Sequence, residues 1–222
     1  MVSGDFFWLG GQNGRRILAV ADCTGHGVPG SFMSALGLTL LEDIDTDLGH
    51  AAPGEWLAEL DRRIVRALRQ YEADAIYDGM DVALLALSPI PNGLRLEYAG
   101  AGRPLWLLRD GVWQVVAPAR YPCGGGQHAE GKLFPTHCLE LRRNDRLYLF
   151  SDGITDQFGG PIGRLHPRKL TPSGLQNLLL GLAGVPITEQ GLAFAARFDT
   201  WKAHYPQLDD CLLVGIEVPD GA

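Results

Sequence analysis

The sequence lacks several features that would each define a class of protein. No stretch approaches the roughly 18 consecutive apolar residues that span a bilayer, and the first residues carry neither the basic segment nor the apolar run of a secretion signal. Basic residues are in deficit, with 19 Lys and Arg against 26 Asp and Glu and a net charge of −7. These absences predict a cytoplasmic protein with no membrane span in this chain, and they argue against nucleic acid as a partner held through its phosphates.

Metal-binding and redox motifs built on cysteine or histidine are also missing. The four cysteines form no CxxC pair and the six histidines form no HExxH motif, which predicts reduced thiols and excludes the common zinc sites. Cys123 lies beside three glycines, but the basic phosphate-binding loop expected of a cysteine-dependent phosphatase is absent. A thiol nucleophile is therefore disfavoured.

The hydrophobic pattern predicts an α+β fold. The chain of 222 residues is 46% hydrophobic, which suits one large globular domain or two small ones. Short apolar runs at residues 5–9 and 16–21 flank a glycine-rich turn and predict a hairpin, followed by two amphipathic helices joined by a polar connection at 43–53. Further short strands follow between residues 82 and 150, then two helices after a Thr-Pro cap at residue 171, and a last strand at 211–218. This order disfavours an alternating βαβ arrangement.

Aspartates flank four of the predicted strands. Asp22 and Asp152 follow strand ends, whereas Asp5 and the pair Asp209 and Asp210 precede strand starts. In antiparallel sheets the start of one strand lies beside the end of its neighbour, so these acids could gather at one edge. Each could instead be an ordinary turn or cap residue. Carboxylates that do gather repel one another, and hard divalent cations such as Mg²⁺ or Mn²⁺ would offset that repulsion.

Six short motifs in order extend this pattern over nearly the whole chain. They are VSGDFF (2–7), VADCTGHGVPG (20–30), GMDVAL (79–84), YAGAGRP (98–104), LYLFSDG (147–153) and LDDCLL (208–213). Together they resemble the SpoIIE/RsbU-type serine/threonine phosphatases of the metal-dependent PPM (protein phosphatase 2C-like) superfamily. The resemblance implies a single domain over residues 1–222, built as a four-layer sandwich of two antiparallel β-sheets flanked by helix pairs.

The resemblance also implies the members of a centre for two Mn²⁺ or Mg²⁺ ions. The implied metal ligands are Asp5, Asp22 as the bridging carboxylate, the backbone carbonyl of Cys23, Asp152 and Asp209. The implied supporting residues are Gly4, Gly25, Gly153 and Asp210. Residues 100–103 contain no acid for a third metal, and Arg103 and Arg164 are weak substitutes for the arginine that clamps phosphate in some relatives, with solvated surface charge as the simpler interpretation.

The function that follows is hydrolysis of phosphoserine or phosphothreonine on a bacterial signalling protein by a metal-activated water. Asp22 would be catalytic through the metals, and His26 would either protonate the leaving group or be an ordinary loop histidine. The implied partners are a phosphorylated protein, such as an anti-sigma-factor antagonist, and an upstream regulatory or sensor domain that precedes this region in relatives and is expected to be missing here. A sheet edge left open by that absence would favour a homodimer. Two alternatives stay open: a catalytically weak signalling-output or binding module, and a hydrolase of small phosphoesters.

Overall fold

The computed structural model describes residues 3–72, 77–91, 93–125, 131–160 and 167–219. Within them the helices are α1 (Gly27–Leu48), α2 (Pro53–Ala67), α3 (Asp152–Asp156), α4 (Thr171–Leu180) and α5 (Ile187–Lys202). The strands are β1 (Asp5–Gly10), β2 (Arg16–Cys23), β3 (Gly79–Ile90), β4 (Gly93–Ala101), β5 (Leu105–Arg109), β6 (Val112–Val116), β7 (Cys123–Gly124), β8 (His137–Leu141), β9 (Arg146–Phe150), β10 (Phe158–Gly159), β11 (Arg168–Lys169) and β12 (Leu213–Glu217).

Two antiparallel sheets form the body of the fold. The first has the strand order β1-β2-β3-β4-β8, with β7 paired to β3, and the second has the order β12-β9-β5-β6. The short strands β10 and β11 pair separately. The predicted first hairpin is confirmed, because β1 and β2 pair antiparallel in the register that places Asp5 opposite Asp22. The α+β class with two antiparallel sheets is therefore as the sequence predicts.

Three apolar clusters hold these elements together. The first joins one face of the first sheet to α1 and α2 through residues such as Trp8, Leu41 and Trp56. The second contains side chains from both sheets, among them Val20 and Leu107, and the third joins the second sheet to α4 and α5. Alternate residues of β2 belong to different clusters, as expected of a strand that is buried on both faces.

Some local predictions differ from the structure. The connection predicted at 43–53 is half helical, because α1 continues to Leu48 and the spacing of buried Leu41 and Ile44 extends its inner face. Polar residues near the end of α1 bind the first hairpin: Asp45 accepts a hydrogen bond from the Gly11 amide at 3.1 Å, and Glu42 accepts one from the Trp8 indole at 3.1 Å. Helix α3 and the pair β10–β11 were not predicted.

Strands β1 and β12 are the terminal strands of their sheets on one side of the fold. The side chains of Phe7 and Leu9 on β1 are 54% and 68% exposed, and they border a groove that β12 also lines. An open edge of this kind is what the expected homodimer would need, and the dimer stays a prediction. No helix in the described part of the chain is long and apolar enough to cross a membrane.

Candidate metal centre

Strand register places three aspartates in a row across the first sheet. Asp5 of β1 lies opposite Asp22 of β2, and Asp22 lies opposite Asp81 of β3. Directly opposite residues on neighbouring strands have Cβ atoms about 4.5–5.5 Å apart, so their like charges repel. A row of this kind is costly unless something positive lies nearby.

The second sheet adds Asp152 to the same place. Asp152 follows β9 as the first residue of α3, and its backbone amide donates a long hydrogen bond of 3.4 Å to Asp22 Oδ2. Ser151 also links the two sheets, because its hydroxyl donates to Asp5 Oδ2 and accepts from the Leu212 amide at 2.9 Å. The end of β9 is thereby fixed against the start of β1.

Arg103 is the cation among these acids. Its Nη2 atom lies 2.8 Å from both Asp22 Oδ2 and Asp152 Oδ2, and its Nε atom lies 3.3 Å from Asp81 Oδ2. The side chain is 12% exposed. The interpretation of Arg103 as a solvated surface charge is therefore wrong. Arg164 lies outside the described residues.

The remaining predicted acids reach the cluster through the loop before β12. Asp210 Oδ2 accepts a hydrogen bond of 2.8 Å from the Gly4 amide, and Asp209 Oδ1 accepts one of 2.8 Å from the Asp210 amide. Both carboxylates raise the pKa of Asp5, so they are close enough to repel it. Asp209 is the more exposed of the two and lies at the outer side of the cluster.

Burial is the main influence on the acids of the row. Burial raises the pKa of Asp22 to about 7, Asp5 and Asp152 add to the rise, and the Arg103 guanidinium opposes it. Burial likewise raises the pKa of Asp5 to about 6, with the hydrogen bond from Ser151 opposing the rise, and it raises the pKa of Asp81. These carboxyls therefore retain a deficit of positive charge even with Arg103 present.

Glycines allow the loops of the site to approach closely. A Cβ on Gly153 would lie 1.9 Å from the Asp210 carbonyl oxygen, and one on Gly4 would lie 2.7 Å from the Gly25 carbonyl oxygen. Gly25 itself has φ +82°, which favours glycine. The three glycines predicted to support the centre thus lie where loops from different strands meet.

The two non-acidic candidates beside Asp22 have different environments. Cys23 is buried, which raises the pKa of its thiol to about 12. Its backbone carbonyl is the atom predicted to bind metal, and that role stays a prediction. His26 is exposed at the residue preceding α1, and no hydrogen bond joins its ring to the acids in the described part of the chain. Cys123 is fully buried, and burial raises its thiol pKa well above the ordinary value, which agrees with the exclusion of a thiol nucleophile.

The donor set fits a hard divalent cation in its chemistry. The side chains of the row offer carboxylate oxygens without imidazole or thiolate, and burial, with a smaller contribution from neighbouring carboxylates, raises the pKa of Asp5 and Asp22. Among the described residues, no three Asp, Glu, His or Cys side chains converge closely enough to hold an ion. Arg103 lies between Asp22 and Asp152 instead.

The sequence analysis missed two members of this cluster, Asp81 and Ser151, and the inward direction of a third, Arg103. Asp81 begins an apolar strand just as Asp5 does, so the signal was present in the sequence. Ser151 and the inward direction of Arg103 had no comparable signal, because both depend on contacts between the two sheets.

Comparisons with known proteins agree with this fold. The family described as Stage II sporulation protein E (SpoIIE) matches residues 12–219. The serine/threonine protein phosphatase PstP of Mycobacterium tuberculosis is 32% identical over 171 residues, covering 64% of this chain and 32% of PstP. This chain therefore matches only about a third of that relative's length.

Solved structures share the fold over almost all of the chain. The SiaA-PP2C domain of Pseudomonas aeruginosa aligns with a TM-score of 0.83 and 27% identity, covering 97% of this chain and 81% of that one. The PstP catalytic domain in complex with two manganese ions aligns with a TM-score of 0.62 and 20% identity over 98% and 92% of the two chains. RsbX in complex with magnesium aligns with a TM-score of 0.62 and 15% identity over 98% and 88%.

The fold and the family match thus define a PP2C-like phosphatase domain. Within that class, the chain belongs to the SpoIIE family, and the resemblance carried by its six motifs is confirmed.

Proposed function

We propose that this chain is a metal-dependent protein serine/threonine phosphatase that hydrolyses phosphoserine or phosphothreonine on a signalling protein. The observation that carries the proposal is the placement of Asp5, Asp22 and Asp81 opposite one another on neighbouring strands, with Asp152 from the end of the second sheet beside Asp22. Family membership supports the reaction class, and the three apolar clusters support a four-layer sandwich as its scaffold.

Two Mn²⁺ or Mg²⁺ ions bound here would activate water and neutralise phosphoryl oxygens. We assign Asp22 as the bridging ligand because it is central to the row and near Asp152 of the other sheet. Asp5, Asp152, Asp209 and the Cys23 carbonyl would complete the ligand set, with Asp81 added from the structure. Gly4, Gly25, Gly153 and Asp210 would hold these ligands in place. The related structures with manganese and magnesium support ions of this kind.

The proposed substrate is a phosphorylated signalling protein, such as an anti-sigma-factor antagonist, and an upstream regulatory domain is a proposed partner. His26 is exposed four residues after Asp22, and we propose that it protonates the leaving alkoxide. These assignments rest on family membership and on the position of each residue.

The test is hydrolysis of p-nitrophenyl phosphate with and without Mn²⁺. We expect Mn²⁺-dependent turnover by the wild type and a loss of at least about 10³-fold in Asp22→Asn, because the central carboxylate is removed. Asp43→Asn is the matched control, since it removes the same charge from an exposed position on α1. Equal, metal-independent turnover by wild type and Asp22→Asn would disprove the proposal.

A catalytically weak binding module is the second candidate. The position of Arg103 between Asp22 and Asp152 favours it, because the guanidinium already neutralises part of the cluster. Metal binding without turnover would support this candidate. If turnover is observed, comparing the rates on a panel of phosphopeptides with those on small phosphoesters would separate a protein phosphatase from a small-molecule hydrolase.

A further inference from the structure

Arg103 is placed in the acidic cluster by a rigid turn after β4. Gly102 has φ +72°, and a Cβ there would lie 2.2 Å from Asp81 Oδ1, so only glycine lets the turn lie against that carboxylate. The turn is fixed to the following loop, because the Gly102 amide donates to the Ala119 carbonyl at 2.9 Å and the Ala119 amide donates to the Gly100 carbonyl at 2.8 Å. Backbone geometry thus directs the guanidinium inward.

The guanidinium binds one oxygen of each of two carboxylates that would hold a divalent ion. One nitrogen, Nη2, lies 2.8 Å from an oxygen of Asp22 on the first sheet and 2.8 Å from an oxygen of Asp152 beyond the second. Mg²⁺ approaches its oxygen ligands to about 2.0–2.1 Å and demands near-octahedral geometry. A divalent ion bound by Asp22 and Asp152 would therefore lie beside a positive group on the same two carboxylates, in a partly buried place where charges interact strongly.

We propose that Arg103 is a resident cation that holds the metal-free centre together and must leave Asp22 and Asp152 when a divalent ion binds. This inference rests on the proposed function, since it assumes that the cluster takes up metal. Arg103 then sets the threshold of metal concentration at which the centre loads. It acts through Asp22 and Asp152 and is in this sense a positioning residue.

Thermodynamic linkage predicts the direction in which metal affinity changes when Arg103 is removed. An interaction present only in the metal-free state stabilises that state, so its removal must strengthen metal binding. An arginine that merely braces the ligands would stay in place after loading, and its removal would weaken binding or leave it unchanged. The direction of the change in affinity therefore separates the two roles.

The first experiment measures Mn²⁺ affinity by isothermal titration calorimetry in wild type and Arg103→Met. We expect Arg103→Met to bind Mn²⁺ about tenfold more tightly and to be less stable than wild type in EDTA, with that difference reduced at saturating Mn²⁺. Arg66→Met is the matched control, since Arg66 is exposed on α2, and its affinity should equal that of the wild type. Equal or weaker Mn²⁺ binding by Arg103→Met overturns the proposal.

The second experiment uses the unaltered protein, so it does not depend on the folding of a variant. With ¹⁵N-labelled arginine, the Arg103 Nε–H resonance should be protected from exchange in EDTA and should shift and lose protection on saturation with Mg²⁺. An unchanged Arg103 resonance on a metal-saturated protein overturns the resident-cation role while leaving the proposed phosphatase intact. A wild type that binds neither ion overturns both.

Discussion

Aspartates at the two ends of the sheets differ in how much positive charge lies beside them. Asp145, directly before β9, is 2% exposed, and Arg109 approaches it with two nitrogens, Nε at 2.8 Å from Oδ1 and Nη2 at 2.5 Å from Oδ2. The Arg142 amide donates a further bond of 2.8 Å to Oδ2. At the other end of β9, a single guanidinium is shared among Asp22, Asp81 and Asp152.

The difference distinguishes a structural acid from acids of a functional centre. Asp145 has one arginine to itself and a backbone donor, so its charge is compensated by the fold alone. The acids of the row have fewer cations than carboxylates, which leaves burial to raise the pKa of Asp5 and Asp22. A divalent ion can supply the positive charge that such a centre lacks.

The largest effect on stability is expected when Asp145, whose charge Arg109 compensates, is neutralised. Asp145→Asn should lower the free energy of unfolding by about 3–4 kcal/mol, because it leaves the Arg109 guanidinium without its charged partner in a largely buried place. Urea denaturation followed by circular dichroism measures the change, with the exposed Asp43→Asn as the control. A loss below about 1 kcal/mol would mean that Asp145 is not the structural acid described here.

A smaller loss is expected where the loops of the acidic end meet. Gly153→Ala places a methyl group 1.9 Å from the Asp210 carbonyl oxygen before relaxation, so the loop carrying Asp209 must shift. We expect a destabilisation of about 2 kcal/mol in urea and weaker Mn²⁺ binding.

Gly191→Ala on α5 is the matched control, because nothing lies within 4 Å of the added methyl group. An alanine in a helix interior should be neutral or stabilising by about 0.5–1 kcal/mol. Equal behaviour of the two alanine variants would show that close approach at Gly153 is not required.

Local sequence pattern predicted much of this arrangement. The turn between β1 and β2 fixes their register, so the meeting of Asp5 and Asp22 could be expected from alternation and turn residues alone. Asp81 was harder, because β3 follows two helices and its register with β2 depends on packing rather than on a short turn. Helix α3 has five residues, too few for a helical period to be visible.

The direction of Arg103 could not be predicted for a different reason. A charged residue after a glycine-rich turn is usually solvated, and only the contact of Gly102 with Asp81 and the pairing with Ala119 turn it inward. Those contacts join residues from two strands, β3 and β4, with the loop that contains Ala119. The meeting of acids at one edge of the sheets was therefore predictable from sequence, whereas the charge balance among them was not.

The third prediction tests whether His26 donates a proton to the leaving group. His26→Gln should lower kcat by about tenfold on a phosphoserine peptide, because an alkoxide leaving group needs protonation. The loss on p-nitrophenyl phosphate should be about twofold or less, since nitrophenolate leaves readily without a proton. Equal losses on both substrates would assign His26 a role in binding or structure instead.

The smallest effect has the opposite sign to the first. In EDTA at pH 7.5, Asp22→Asn should raise the free energy of unfolding by about 1 kcal/mol, because it removes a buried charge that faces Asp5, Asp81 and Asp152 while Arg103 keeps two partners. Urea denaturation beside Asp145→Asn measures both signs under one set of conditions. A loss of stability in Asp22→Asn would make the Arg103–Asp22 pair equivalent to Arg109–Asp145, and the contrast between the two ends of the sheets would then not hold.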